Sequence, residues 1–101
     1  MDKDDFKTDT RYTITWRSPG GKVQAANIYV HRAYEHFLVA RFSGADAALR
    51  KITYPEVLKI VAAKAVDPDD RSLVPPALLE ESTWRDRVVM EHYSSSARRG
   101  K

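Results

Sequence analysis

Period-two alternation of apolar and polar residues between Tyr12 and Tyr54 constrains the fold of this chain more than any other feature. Three segments show the alternation, with apolar residues at Tyr12, Ile14 and Trp16, at Ala26, Ile28 and Val30, and at Leu38, Ala40 and Phe42. Such alternation between turn residues predicts β-strands with one buried face. Residues 49–54 supply a fourth predicted strand. We therefore expect a small, strongly bent antiparallel meander.

The segment after Pro55 fits two structures. Residues 56–66 are rich in helix formers, and Thr53 and Glu56 are well placed to cap a helix that begins near the proline. Val57–Val61 could equally form a fifth strand that closes a barrel. The sequence thus predicts a mainly β protein with a C-terminal helix, built on a small bent antiparallel β-barrel. The alternative is an α+β meander with a helix over residues 55–66.

An amphipathic helix is predicted near the end of the chain, where Pro75 and Pro76 precede residues 77–90. Its apolar side carries Leu78, Trp84 and Val88, which makes these residues a candidate interface. We expect this helix to pack on the chain's own sheet, with docking on a partner as the second interpretation. A strand over residues 84–93 is the lesser structural alternative.

The 101 residues are enough for one domain, which we divide into four parts. The expected parts are a flexible lead at 1–10, a β-barrel core at 11–66, a linker and packing helix at 67–93, and a flexible basic tail at 94–101. The core segment 22–66 has a net charge of +4 and the segment 67–93 a net charge of −4. This segregation predicts internal electrostatic pairing, with an exposed basic face for an anionic partner as the alternative.

Signals for catalysis, metals and membranes are weak in this composition. The chain has no cysteine, no cofactor motif and no apolar run long enough to cross a bilayer, and it does not begin like a secretory signal. We therefore expect a cytoplasmic protein with no cofactor. His31, Glu35 and His36 lie in one predicted loop and could support acid–base chemistry or hold a metal. We expect them to be polar residues that stabilise the loop, so an enzyme is the least favoured class.

Aromatic and basic residues are interleaved around the same loop. Arg32, Tyr34, Phe37 and Arg41 form a combination that can hold a single nucleic-acid strand, because aromatic faces stack on bases while cations meet phosphates. The alternative is that the aromatic side chains fill the core. These four residues are the candidate contacts for single-stranded RNA or another partner.

Residues 12–62 resemble the Sm-like fold, and in particular the bacterial Sm-like RNA chaperones. Tyr34-Glu35-His36-Phe37 matches the family's bend before the third strand, and Tyr54 with Val57–Val61 matches its second motif and short closing strand. The resemblance implies a small bent barrel that can form rings, with Phe37 as the base-stacking position. Where the family carries a basic residue and a histidine that contact RNA, this chain carries Pro55 and Glu56.

The functional expectation follows from position 56, since a carboxylate there would repel phosphate. We favour a noncatalytic barrel that acts through protein contacts or self-association. Single-stranded RNA binding is the second hypothesis.

Overall fold

A computed structural model shows a mainly antiparallel β protein, with no long helix among the residues that it describes. It describes residues 1–43, 48–90 and 96–97, with backbone only at 72–73 and 96–97. The strands are β1 (Thr10–Arg17), β2 (Val23–Ala33), β3 (Phe37–Phe42), β4 (Leu49–Thr53), β5 (Val57–Ala65), β6 (Ser72–Leu73), β7 (Val89–Met90) and β8 (Ser96–Ala97). Short 3₁₀ helices span Lys3–Asp5, Tyr54–Glu56, Pro68–Asp70, Pro76–Leu79 and Glu81–Trp84.

Six of these strands form one sheet in the order β5-β1-β2-β3-β4-β7, and all pairs are antiparallel. The register of β1 and β2 places Tyr12 opposite Ile28 and Ile14 opposite Ala26. The predicted meander of alternating strands is therefore confirmed. The sheet is not closed, because β5 lies at one edge and β7 at the other.

A three-residue turn determines how the sheet curls. Tyr54–Glu56 joins β4 to β5, although three other strands separate these two in the sheet. Three residues span only about 10 Å, so the end of β4 and the start of β5 must lie close together. The Glu56 carboxylate accepts hydrogen bonds from the Thr53 backbone N–H at 2.8 Å and from its hydroxyl at 3.0 Å. The expected capping pair thus exists, but it caps a 3₁₀ turn.

The alternative of a helix over residues 55–66 is wrong, because residues 57–65 form β5, which pairs with residues 10–16 of β1. Pairing with β1 supplies backbone hydrogen bonds that helix propensity alone cannot outweigh. Two register shifts interrupt the pair, and Val61 and Leu58 are the extra residues at these bulges.

The core lies on the concave, inner face of the sheet. Its buried residues are Phe6, Tyr12, Ile14, Trp16, Ile28, Val30, Leu38, Ala40, Ile52, Tyr54 and Val57. Phe6 corrects the expectation of a loosely attached lead, since its ring packs on those of Tyr12 and Tyr54 at centroid distances of 5.1 and 6.0 Å. The first ten residues therefore contribute to the core and to the start of β1.

The single helix predicted over residues 77–90 is also wrong. The chain there forms two 3₁₀ turns separated by Glu80 in an extended conformation, followed by β7. Side chains donate hydrogen bonds to backbone carbonyls that would accept backbone N–H groups in an α-helix. Thr83 Oγ1 donates to Ala77 O at 2.7 Å, and Trp84 Nε1 donates to Leu78 O at 2.6 Å. Such bonds compete with helical pairing, and Ser82 and Thr83 are weak helix formers.

Two further predictions concern the C-terminal tail and the absence of a membrane-spanning segment. The tail at 94–101 lies outside the described residues except for the backbone of Ser96–Ala97, which pairs with Ser72–Leu73. In the described part of the chain, no helix has the length and apolar character needed to cross a bilayer.

Candidate functional site

The C-terminal segment covers one part of the outer face of the sheet. Trp84 has no exposed surface and packs with Phe37, Val39, Leu49 and Met90 on the convex side of β3 and β4. β7 also pairs with β4, and Val88 O accepts a hydrogen bond from the Lys51 backbone N–H at 2.7 Å. This face and this edge are therefore occupied by the chain itself.

The three residues of the predicted interface helix have different surroundings. Trp84 is completely buried, Leu78 is half-buried against the same cluster, and Val88 is 46% exposed. They share no helical face, because Leu78 and Trp84 lie in two separate 3₁₀ turns and Val88 lies between the second turn and β7. The arrangement places Trp84 inside the molecule, in contact with its own sheet.

Phe37 is the position that the Sm-like resemblance assigns to base stacking, and its ring is only 8% exposed. The Tyr34 ring lies 4.8 Å from it and the Lys51 ammonium group 5.2 Å from its centroid. Lys51 also donates a hydrogen bond to Trp84 O at 2.6 Å. A base could stack on Phe37 only after these neighbours had moved.

Arg32 and Tyr34 bind the C-terminal segment. The Tyr34 hydroxyl and Arg32 Nη1, the latter at 3.4 Å, both donate hydrogen bonds to Leu79 O. Burial raises the pKa of Tyr34, while the nearby Arg32 charge lowers it. The basic sheet thus contacts the acidic segment through its backbone carbonyls.

Arg41 belongs to a separate polar cluster on the outer face of β2 and β3. Its guanidinium lies 5.7 Å from the Tyr29 ring, and Arg11 lies 5.4 Å from the same ring. The Tyr29 hydroxyl donates a hydrogen bond to Asp9, and the His31 ring lies 4.8 Å from Tyr29. Arg41 is therefore not beside Phe37, and the four predicted RNA contacts do not form one surface.

His31 is buried, and its Nε2 atom has no hydrogen-bond partner among the described residues. Burial is the main cause that lowers the pKa of His31 to about 4, and the positive charge of Arg41 lowers it further. The negative charge of Asp9 has a smaller effect that raises this pKa. The structure thus holds this imidazole in its neutral form near pH 7.

This environment predicts that the protein loses stability in mild acid. Between pH 6.5 and about 4 the unfolded chain binds a proton at His31 that the folded chain resists. The free energy of unfolding should therefore fall by an amount on the order of 3 kcal/mol as the pH decreases through this window. Urea denaturation at several pH values measures the slope. His31→Phe should remove most of it, and His36→Gln, at an exposed position, should retain it; the opposite pattern would contradict the assignment.

The predicted acid–base loop is dispersed in the structure. His31 lies on β2 against Tyr29, whereas Glu35 is exposed and pairs with Lys3 Nζ at 3.5 Å. His36 is exposed. Over residues 1–43 and 48–90, no group of three histidine or acidic side chains has the spacing of a metal site.

Strand β5 has features that sequence reasoning missed. Seven of its nine residues pair with β1 on one side, and in the described part of the chain no strand lies on the other side. Leu58 and Val61 are 44% and 58% exposed, and both lie at bulges, which re-aim side chains. The only charged residues of this edge are Lys59 and Lys64. The sequence indicated a possible fifth strand. It could not predict which side chains of the strand are exposed, because each bulge interrupts the alternation of apolar and polar residues.

No family model matches this chain, and neither a curated protein nor a solved structure shows significant similarity to it.

Proposed function

We propose that this domain is a half-open, Sm-like β-barrel that binds an extended acidic segment of a protein partner along β5. The observation that carries the proposal is the long sheet edge with two exposed apolar side chains, Leu58 and Val61. An unpaired edge offers backbone N–H and C=O groups to an added strand, and side chains on the edge select its sequence. The Sm-like part is supported by β5 itself, which follows Tyr54 where the resemblance expects the closing strand.

The other surfaces of the sheet explain why β5 is the favoured site. β7 covers the edge of β4, and Trp84 covers the outer face of β3 and β4. The inner face is filled by the core. A partner that adds to β5 needs no rearrangement of these parts.

Charge favours an acidic partner over a second copy of the chain. Lys59 and Lys64 are the charged residues of β5, and Arg11 lies opposite Lys64 on β1. Pairing two β5 strands would bring four lysines together, whereas glutamate or aspartate on an added strand would complement them. Lysines on an edge also discourage uncontrolled aggregation, which agrees with a selective site.

Single-stranded RNA is the weaker candidate. Phe37 is covered, and Arg32 and Tyr34 are bonded to the C-terminal segment. RNA binding at these residues would require the segment to leave the sheet, with exposure of Trp84.

A peptide selection tests the proposal. We expect nine-residue peptides selected on the wild-type protein from a random library to alternate acidic and apolar residues. Their affinity should fall at least tenfold in Leu58→Glu/Val61→Glu, because both apolar contacts are lost and the added negative charges repel the acidic peptide. Val88→Glu is the matched control, since it adds the same charge at an exposed valine elsewhere. Equal binding by both variants, or selection of no peptide, would contradict the proposal.

A further inference from the structure

A second feature of the outer face is a groove that crosses β5, β1 and β2, with a volume of about 350 Å³. Its lining contains two cations, three neutral polar side chains and two alanines, namely Arg11, Lys64, Thr13, Asn27, Ser43, Ala62 and Ala63. Ala62 lies opposite Thr13 on this face and leaves space that a larger side chain of β5 would fill. A cavity of this size accommodates a small polar molecule.

The two cations are placed side by side. Arg11 and Lys64 are direct partners in the β1–β5 register, an arrangement in which like charges destabilise strand pairing. Among the described residues neither forms an ion pair, although Asp67 and Asp70 line an adjoining groove on the other side of the same two cations. A bound anion would relieve this repulsion.

Neighbouring contacts orient the groups that face the groove. The Arg11 guanidinium lies over the Tyr29 ring, whose hydroxyl is bonded to Asp9. Thr13 Oγ1 donates a hydrogen bond to Asn27 Oδ1 at 2.7 Å. This bond occupies the carbonyl of the Asn27 amide and leaves its two N–H donors for a ligand.

We propose that this groove binds a phosphate monoester on a small, hydroxyl-bearing molecule such as a sugar phosphate. Arg11 and Lys64 meet the phosphate, because paired cations and N–H donors match its charge and its oxygen acceptors. Thr13, Asn27 and Ser43 bond to the hydroxyl groups. The site needs no protein partner, since it lies on the outer face and leaves the outward backbone groups of β5 unused, but it shares Lys64 with the site proposed for the acidic segment.

NMR titration with ribose 5-phosphate tests this site, with ribose and inorganic phosphate as separate ligands. We expect ribose 5-phosphate to shift the amide signals of Thr13, Asn27 and Lys64, to bind more tightly than inorganic phosphate, and ribose alone to have no effect. Lys64→Gln should weaken binding at least tenfold, as expected for the loss of one charged hydrogen bond. Lys59→Gln is the matched control, because it removes a lysine of the same strand outside the groove.

Three results would overturn the proposal. One is the absence of shifts up to about 10 mM ribose 5-phosphate. Another is equal weakening by Lys59→Gln and Lys64→Gln, which would show a general charge effect. The third is binding of a single-stranded oligonucleotide at these amides without binding of the monoester, which would assign the cations to a nucleic-acid backbone. A thermal melt of each variant verifies that it is folded.

Discussion

Trp84→Ala should destabilise the protein by about 3–5 kcal/mol, a large part of the stability of a domain of this size. Trp84 is fully buried between the outer face of the sheet and residues 74–90. Its removal leaves a cavity beside Phe37 and Leu49 and deprives Leu78 O of the indole N–H. Urea denaturation followed by circular dichroism measures the change.

The size of this destabilisation distinguishes a Trp84 that packs inside the protein from a Trp84 that serves a partner interface. If the residue served a partner, its substitution would cost the isolated protein less than about 1 kcal/mol, as is usual for surface changes. Val88→Ala, at an exposed position of the same segment, is the control and should lie in that small range. A small effect of Trp84→Ala would contradict the packing of the C-terminal segment on β3 and β4.

Ile28→Asp should prevent cooperative folding at neutral pH. Ile28 is 1% exposed on the inner face, where its neighbours across the sheet are Tyr12 and Phe42. An unpaired carboxylate in this apolar core costs several kcal/mol, which approaches the whole stability of a small domain. A thermal melt monitored by circular dichroism should therefore show no unfolding transition.

Asn27→Asp is the matched control for this substitution, because the neighbouring residue points to the exposed outer face. It introduces the same charge and should leave the melting temperature within a few degrees of the wild type. A folded Ile28→Asp protein with an unchanged melting curve would show that the register of β2 is wrong.

The meander could be predicted because its signal is local. Tyr12, Ile14 and Trp16 alternate with polar residues, and the structure buries all three. The burial of Phe6 could not be predicted, since one phenylalanine among charged residues has no periodicity. The prediction of a C-terminal helix failed for a different reason. The apolar residues of this segment fit helical spacing, but three-dimensional packing decides the hydrogen bonds from Thr83 and Trp84 to nearby carbonyls.

The candidate sites also depend on contacts between residues that are distant in the sequence. The sequence predicted Arg32, Tyr34 and Phe37 as an exposed cluster from their aromatic and basic side chains. It could not show that residues 74–90 contact and partly cover them. The groove beside β5 was missed because Arg11 and Lys64 are 53 positions apart in the sequence and become neighbours only through strand pairing. Neither residue carries a local motif.

Amide hydrogen exchange of β5 measures the central claim most directly. In the free protein, the amides of residues 57–65 that point away from β1 should exchange fast, because no strand protects them in the described structure. A selected acidic peptide should slow these amides, with little change in β3 and β4. Protection of the outward-facing β5 amides in the free protein, or a peptide that protects only β3 and β4, would contradict strand addition at this edge.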